Sequence, residues 1–392
     1  MLTDATLDYG SRVATALLGL DALYRVESGD GDGLVVVNLD TAGRFRPDAF
    51  AGYEEVRKCF EALREDAFRL PEPDRQTYYG ALCHSTLSFI TWRQHKLSFT
   101  SQIGDFLHVP AEPASEADLA VLRSELQGLL DGMGYRGTLA EQCAAWEEQT
   151  RVPKEAVGVV VQELMDQAWE RTEKHLMKIP APRSDGMRLV PVSGVAFNAR
   201  CDYLNRTVEL NIDPILTRPG LKHLVVHECY PGHYVQFKLR EAWERQGRSA
   251  ADGLLSVVNT ASSSVFEGIG DSGILMLDWF EDDDDRVQAK MNRYRAGIGT
   301  QAAWQLHALG WSEDRVAESL RGKSLVGGEG WVQNRVRFIA SPARAVLIWS
   351  YWWGERVVAP AFSSVSAERR GEFLEYLYGR MHSNATVALF TP

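Results

Sequence analysis

Apolar residues recur at intervals of three and four along most of this chain, as in residues 7–23, 49–67, 116–133 and 154–177. That spacing follows the 3.6-residue turn of a helix and not the two-residue period of a strand, so the chain has to bury helical stripes against one another. The expected class is mainly α. Two stretches interrupt the pattern. Residues 28–47 set Gly and Asp around a short Val-rich run, and residues 180–219 replace helix by short alternating segments. Within the second, 188–195, 196–202 and 207–212 show β-branched alternation with Asn205-Arg206 as a turn, which predicts a small hairpin or sheet. Helices are expected again from 219 to about 262, then over 264–280, 287–309, 313–321, 331–339, 343–358 and 367–380. The division expected from this is an N-terminal helical subdomain, 1–180, and a second helical subdomain, 181–392.

Charge and composition narrow the function. With 42 Lys+Arg against 53 Asp+Glu, the net charge is −11, which offers no field to attract nucleic acid or an anionic membrane. No uncharged apolar run approaches the length needed to span a bilayer. The first residues carry an early acid and no basic start before an apolar core, so a cytoplasmic location is expected. The five cysteines form no CxxC pair, which argues against both a disulfide framework and a cysteine zinc site. The run Glu281–Asp285 reads as a solvated turn, because the glycine and oxygen-ligand spacing of a calcium loop are missing.

The segment richest in chemistry is His227-Glu228-Cys229-Tyr230-Pro231-Gly232-His233. In HExxH, histidines four apart share one helical face and bind zinc, while the intervening glutamate serves as base. Here the spacing is six, which on an unbroken helix turns the second ring roughly 120° away from the first. Two readings follow. Pro231-Gly232 kinks the helix and returns His233 to the metal, or the helix ends at Tyr230 and His233 merely caps the next one.

The string from Val225 to Gln236, VVHECYPGHYVQ, closely resembles the HExxPGHxxQ signature of a bacterial domain-of-unknown-function family placed among the gluzincin-like metallopeptidases. The resemblance implies a mainly α gluzincin-like architecture with a small β element before the metal-binding helix. It also implies that Glu267, in Val265-Phe266-Glu267-Gly268, is a third ligand beside His227 and His233. Arg293-Tyr294-Arg295, the later His307 and Ser350-Tyr351-x-x-Gly354 resemble further family segments. The match runs from about residue 180 to the end. It departs at Ile269-Gly270-Asp271, where the family usually has Trp-Ala and a nearby Tyr, and this departure bears on substrate preference.

The resulting expectation is a zinc-dependent hydrolase, with one Zn2+ per chain or another divalent metal, cleaving a peptide or amide bond in a small substrate. Glu228 is the expected base, and Tyr351 or His307 the donor to the developing oxyanion. Arg295 and Arg344 are the expected substrate clamps, with Arg335, Arg337 and Arg356 read as surface charges. His223, four residues before His227, is an alternative ligand, and His223, Gln236, Asp271 and Asp202 are candidates to orient a ligand. Cys229 reads as packing. Two other classes stay open: a mononuclear enzyme, iron included, acting on a small metabolite by other chemistry, and a metal-stabilised binding protein without catalysis.

Overall fold

Each helix forms where its apolar residues can line one face. In Tyr53–Ala67 the buried positions are Val56, Phe60, Leu63 and Ala67, spaced four, three and four apart. The same logic holds along most of the chain. In this computed structural model, which describes residues 2–29 and 33–391, the protein is mainly α-helical with two small sheets. Of the expected interruption at 28–47, residues 30–32 lie outside the described residues. Among the described residues no helix is long and apolar enough to cross a membrane.

The chain divides into two compact units. The first takes Met1–Ala111, Gln236–Phe266 and Val357–Pro392, and the second takes Glu112–Val235 and Glu267–Arg356, so compactness does not follow the expected boundary after 180. The first unit carries the helices Asp4–Ser28, Tyr53–Ala67, Pro73–Arg93 and Phe99–Leu107. The longest of them ends at Gly29, whose left-handed φ of 67° closes the last turn. Val35–Asn38 pairs antiparallel with Leu255–Val257. The second of these strands corrects the expectation of continuous helix up to 262. Its pairing partner lies far away in sequence, so no local pattern announces it.

The second unit buries Trp146, Trp279, Trp331, Trp349 and Trp352 almost completely. Each removes on the order of 150–250 Å² from water, about 4–6 kcal/mol before conformational entropy is subtracted. Its sheet holds the predicted hairpin, Ala199–Asp202 antiparallel to Thr207–Asn211, with Arg206 in the turn at φ 55°. Arg188–Val192 adds a third strand, parallel to Thr207–Asn211. Asp202 takes the Asn205 backbone N–H and side-chain amide within this turn, so it orients the hairpin and not a metal ligand. Pro73–Arg93, Phe99–Leu107, Leu139–Thr150 and the short Asn384–Val387 were not singled out by periodicity, although Leu139–Thr150 carries a legible capping box in Thr138 and Glu141. The expected helix 264–280 is broken at Ser272 into Ser263–Asp271 and Gly273–Met276.

The acidic run is not a solvated turn throughout. Asp282 caps the helix Asp283–His307 by accepting the Asp285 N–H. Asp285 is buried and accepts from the buried Lys222 at 2.6 Å, and the half-exposed Glu281 accepts from the same ammonium at 3.1 Å. Lys222 belongs to the helix Arg218–Glu228, so this ion pair anchors the element that carries His227. Removing one member of a buried pair strands the other. Lys222→Ala is expected to lower unfolding stability by about 3 kcal/mol; a urea titration showing less than about 1 kcal/mol would mean that Asp285 finds water instead.

Candidate metal centre

The helix Arg218–Glu228 starts at Thr217, whose hydroxyl accepts the Gly220 N–H, and runs out directly after the glutamate of the motif. The next helix, His233–Arg245, begins at the second histidine. Between them the Gly232 N–H returns to the Val226 carbonyl, and the Tyr230-Pro231 peptide is cis. Gly232 lies so close against the His227 carbonyl that a Cβ there would overlap it. Neither reading of the spacing is right by itself. The helix does end and His233 does open a new one, yet the two imidazoles meet with centroids 4.6 Å apart at 81°.

Glu267 and Asp271, one turn apart on Ser263–Asp271, reach the two nitrogens of the same His227 ring. Glu267 Oε2 lies 3.1 Å from Nε2, while Nδ1–H donates to Asp271 Oδ1 at 3.0 Å. Between the two carboxylates, Gly270 leaves room for the ring: a Cβ there would stand 2.8 Å from Nδ1. His233 Nε2 lies 3.6 Å from the same Glu267 oxygen. Asp271 also lies 3.5 Å from His223 Nε2. His223 thus joins the site through Asp271, in a second group with His227 and Asp271 whose atoms also lie within 4.8 Å of one another.

The donor set His227, His233 and Glu267 fits a zinc ion. All three ligand atoms lie within 4.8 Å of one another and all three residues are buried. Tetrahedral ligands about 2.0–2.1 Å from zinc stand about 3.3 Å apart, which brackets with the separations of 3.1 and 3.6 Å. The bond from Nδ1 to Asp271 fixes the tautomer that leaves Nε2 for a metal. Electrostatics agree. Burial opposes charge on His227, but Asp271 and Glu267 outweigh it and raise its pKa well above the ordinary value. Burial likewise works to raise Glu267 and Asp271, and their histidine partners instead hold both carboxyls below the usual range. A metal taking Nε2 displaces a proton from this cluster, so its affinity falls with acidity.

His227, Glu228 and Asp271 line a cavity of about 190 Å³. Tyr351 lines it too, its ring centred 6.4 Å from that of His227, and burial followed by the charges of Glu267 and Glu228 raises its phenol well above the ordinary value. Arg295 is among the lining residues, and so is Arg335, read from the sequence as a surface charge. Two of the candidate residues are placed elsewhere. His307 bonds through Nε2 with the Ile339 carbonyl at 2.7 Å, and neither it nor Arg344 lines this cavity. Arg344 instead starts the short turn Ala345–Leu347. Gln236 donates to the Phe266 carbonyl and accepts from Arg240. Cys229 is fully buried, in keeping with packing.

Sequence reasoning missed Asn292, Asn334 and Glu355. Glu355, four residues after Tyr351 and so on its helical face, is engaged by Arg293 at 3.1 Å.

No protein-family model and no curated protein matches the chain. Among solved structures it is similar to a "putative lipoprotein" from Colwellia psychrerythraea, at 13% identity and a TM-score of 0.52. It is also similar to a "putative lipoprotein of unknown function" from Shewanella oneidensis, at 12% identity and 0.53. Each match covers 86% of this chain, and the chain spans 60% of the first neighbour's length and 70% of the second's. At such identities the likeness is one of fold.

Asp271→Asn keeps the shape of the second carboxylate and removes its charge. Zinc affinity, measured by competition with a chromophoric chelator, is expected to fall about 10–100-fold, and an unchanged affinity would remove Asp271 from the site. Gly232→Ala is expected to abolish stoichiometric zinc binding, because the His227 carbonyl has to move.

Proposed function

We propose that this chain is a metal-dependent hydrolase with one zinc held by His227, His233 and Glu267, cleaving a peptide or amide bond in a small substrate. The observation that carries the reading is the convergence of three buried ligand atoms together with a further carboxylate, Glu228, which adjoins His227 in sequence, lines the cavity and is not among the ligands. A zinc ion in this set supplies a Lewis acid that polarises a carbonyl and acidifies water. Glu228 accepts the proton of the attacking water on its carboxylate and passes it to the leaving nitrogen. Tyr351, kept as a phenol by its burial, donates to the oxygen on which charge develops. Asp271 holds the His227 ring in one tautomer and one orientation. With these roles the resemblance of VVHECYPGHYVQ to the gluzincin-like signature becomes a proposal of kinship. The five cysteines are free thiols, which supports a reducing compartment, the cytoplasm, as the place of action.

Glu228 also separates this reading from its rivals, since a hydrolase needs a base there and a metal-stabilised binding protein does not. Elemental analysis of the purified protein is expected to give about one zinc per chain, lost in His233→Ala and in Glu267→Ala. Glu228→Gln is expected to keep its zinc and to lose turnover of short peptides by about 10²–10⁴-fold. A wild-type chain that takes up no metal under replete conditions, or an active Glu228→Gln, would sink the proposal.

A further inference from the structure

Part of the cavity wall comes from two helices of the second unit. Asp283–His307 contributes Asn292 and Arg295, three apart, and Gly328–Ala340 contributes Trp331, Asn334, Arg335 and Phe338, at spacings of three, one and three. Helical spacing therefore puts each set on one face. Trp331 lies under both guanidiniums, with Arg295 5.1 Å and Arg335 5.6 Å from its ring centre.

These two side chains are half-buried, with the Nε of each enclosed, and they lack what enclosed cations ordinarily have. Among the described residues neither guanidinium has a carboxylate within ion-pair distance, and the Nε of each is buried without a hydrogen-bond partner, as is the Asn292 amide nitrogen. Arg295 spends one N–H on the Val326 carbonyl at 2.7 Å. Glu147, the acidic group that acts on Arg295, is occupied by the Gly327 N–H at 2.5 Å. Arg293 on the same helix provides the contrast: it is bonded to Glu355 and to the carbonyls of Tyr351 and Trp352. Burial pushes Arg295 and Arg335 down to about 10, and each remains a cation at neutral pH. A chain of net charge −11 had acidic residues to spare for them. Two guanidiniums held in one cavity with no carboxylate in ion-pair contact, although Glu228, Asp271 and Glu355 line the same cavity, leave N–H groups for a ligand to engage.

We infer that Arg295 and Arg335, with the Asn292 amide, form the subsite for a carboxylate of the substrate, so that the substrate is a short peptide or acylated amino acid with a free carboxyl group. Guanidiniums favour this ligand because their planar N–H pairs match two carboxylate oxygens. The cavity suits it in size, at about 190 Å³. The inference moves the expected clamp from Arg344 to Arg335. It rests on the hydrolase reading for its substrate class, but the anion subsite can be tested without turnover.

The test is calorimetric titration of N-acetylglycine, N-acetylglycinamide and inorganic phosphate into the full chain, with and without one equivalent of zinc. Wild type and Glu228→Gln are expected to bind the acid at least about tenfold more tightly than the amide. Arg295→Gln and Arg335→Gln are expected to lose that preference while keeping their zinc. Arg335→Lys retains part of it, and Arg337→Gln, an exposed position on the same helix, retains all of it. Equal binding of acid and amide by wild type, no binding of either, or an unaltered preference in Arg335→Gln would overturn the subsite. Tighter binding of phosphate than of N-acetylglycine would overturn the carboxylate assignment. Absence of peptide turnover alongside an arginine-dependent preference would instead count against the hydrolase reading alone.

Discussion

The contact of Gly232 with the His227 carbonyl is the constraint from which the rest of the site follows. A spacing of six cannot put two imidazoles on one helical face, so the chain has to stop one helix and start another within four residues. Such a turn is possible only where backbone can press against backbone, and there a side chain has no room. Given the turn, His233 faces His227 across 4.6 Å, and a third helix closes on them with Glu267 and Asp271.

Around this centre the second unit handles its buried charges in two ways. Most are matched: Lys222 with Asp285, Arg293 with Glu355, His227 with two carboxylates at once. Matched charges hold helices in place and hold ligands in one protonation state. Arg295 and Arg335 stand apart from this pattern within the same cavity as Glu228. The cavity thus holds both acceptors, such as Glu228, and donors, such as Arg295 and Arg335, the mix needed to engage a small molecule that carries a carbonyl and an anion.

Much of this was legible in the sequence, and the reasons are local. Helices with a clear apolar stripe, such as Tyr53–Ala67, were found within a few residues, and the hairpin turn at Asn205-Arg206 was found from its turn chemistry. The histidines and Glu228 could be read from spacing, and Glu267 from resemblance. What stayed hidden depends on distant partners. Leu255–Val257 is a strand only because Val35–Asn38 lies beside it, and Arg335 faces a cavity only because Trp331 and Phe338 on its helix are turned the same way. His307 and Arg344 carried the right chemistry for a site, but nothing in their neighbours' pattern revealed that they do not line this cavity.

The first unit has a further consequence, one that concerns the making of the protein. It is assembled from residues 1–111, 236–266 and 357–392, so its core stays incomplete until residues 357–392 have been made. The second unit's segments emerge in between and can collapse earlier. Long-range closure of this kind raises contact order and slows folding. Asp4–Ser28 and Pro73–Arg93 are made early and belong to a unit that closes late, so part of their apolar faces is left for a chaperone to cover.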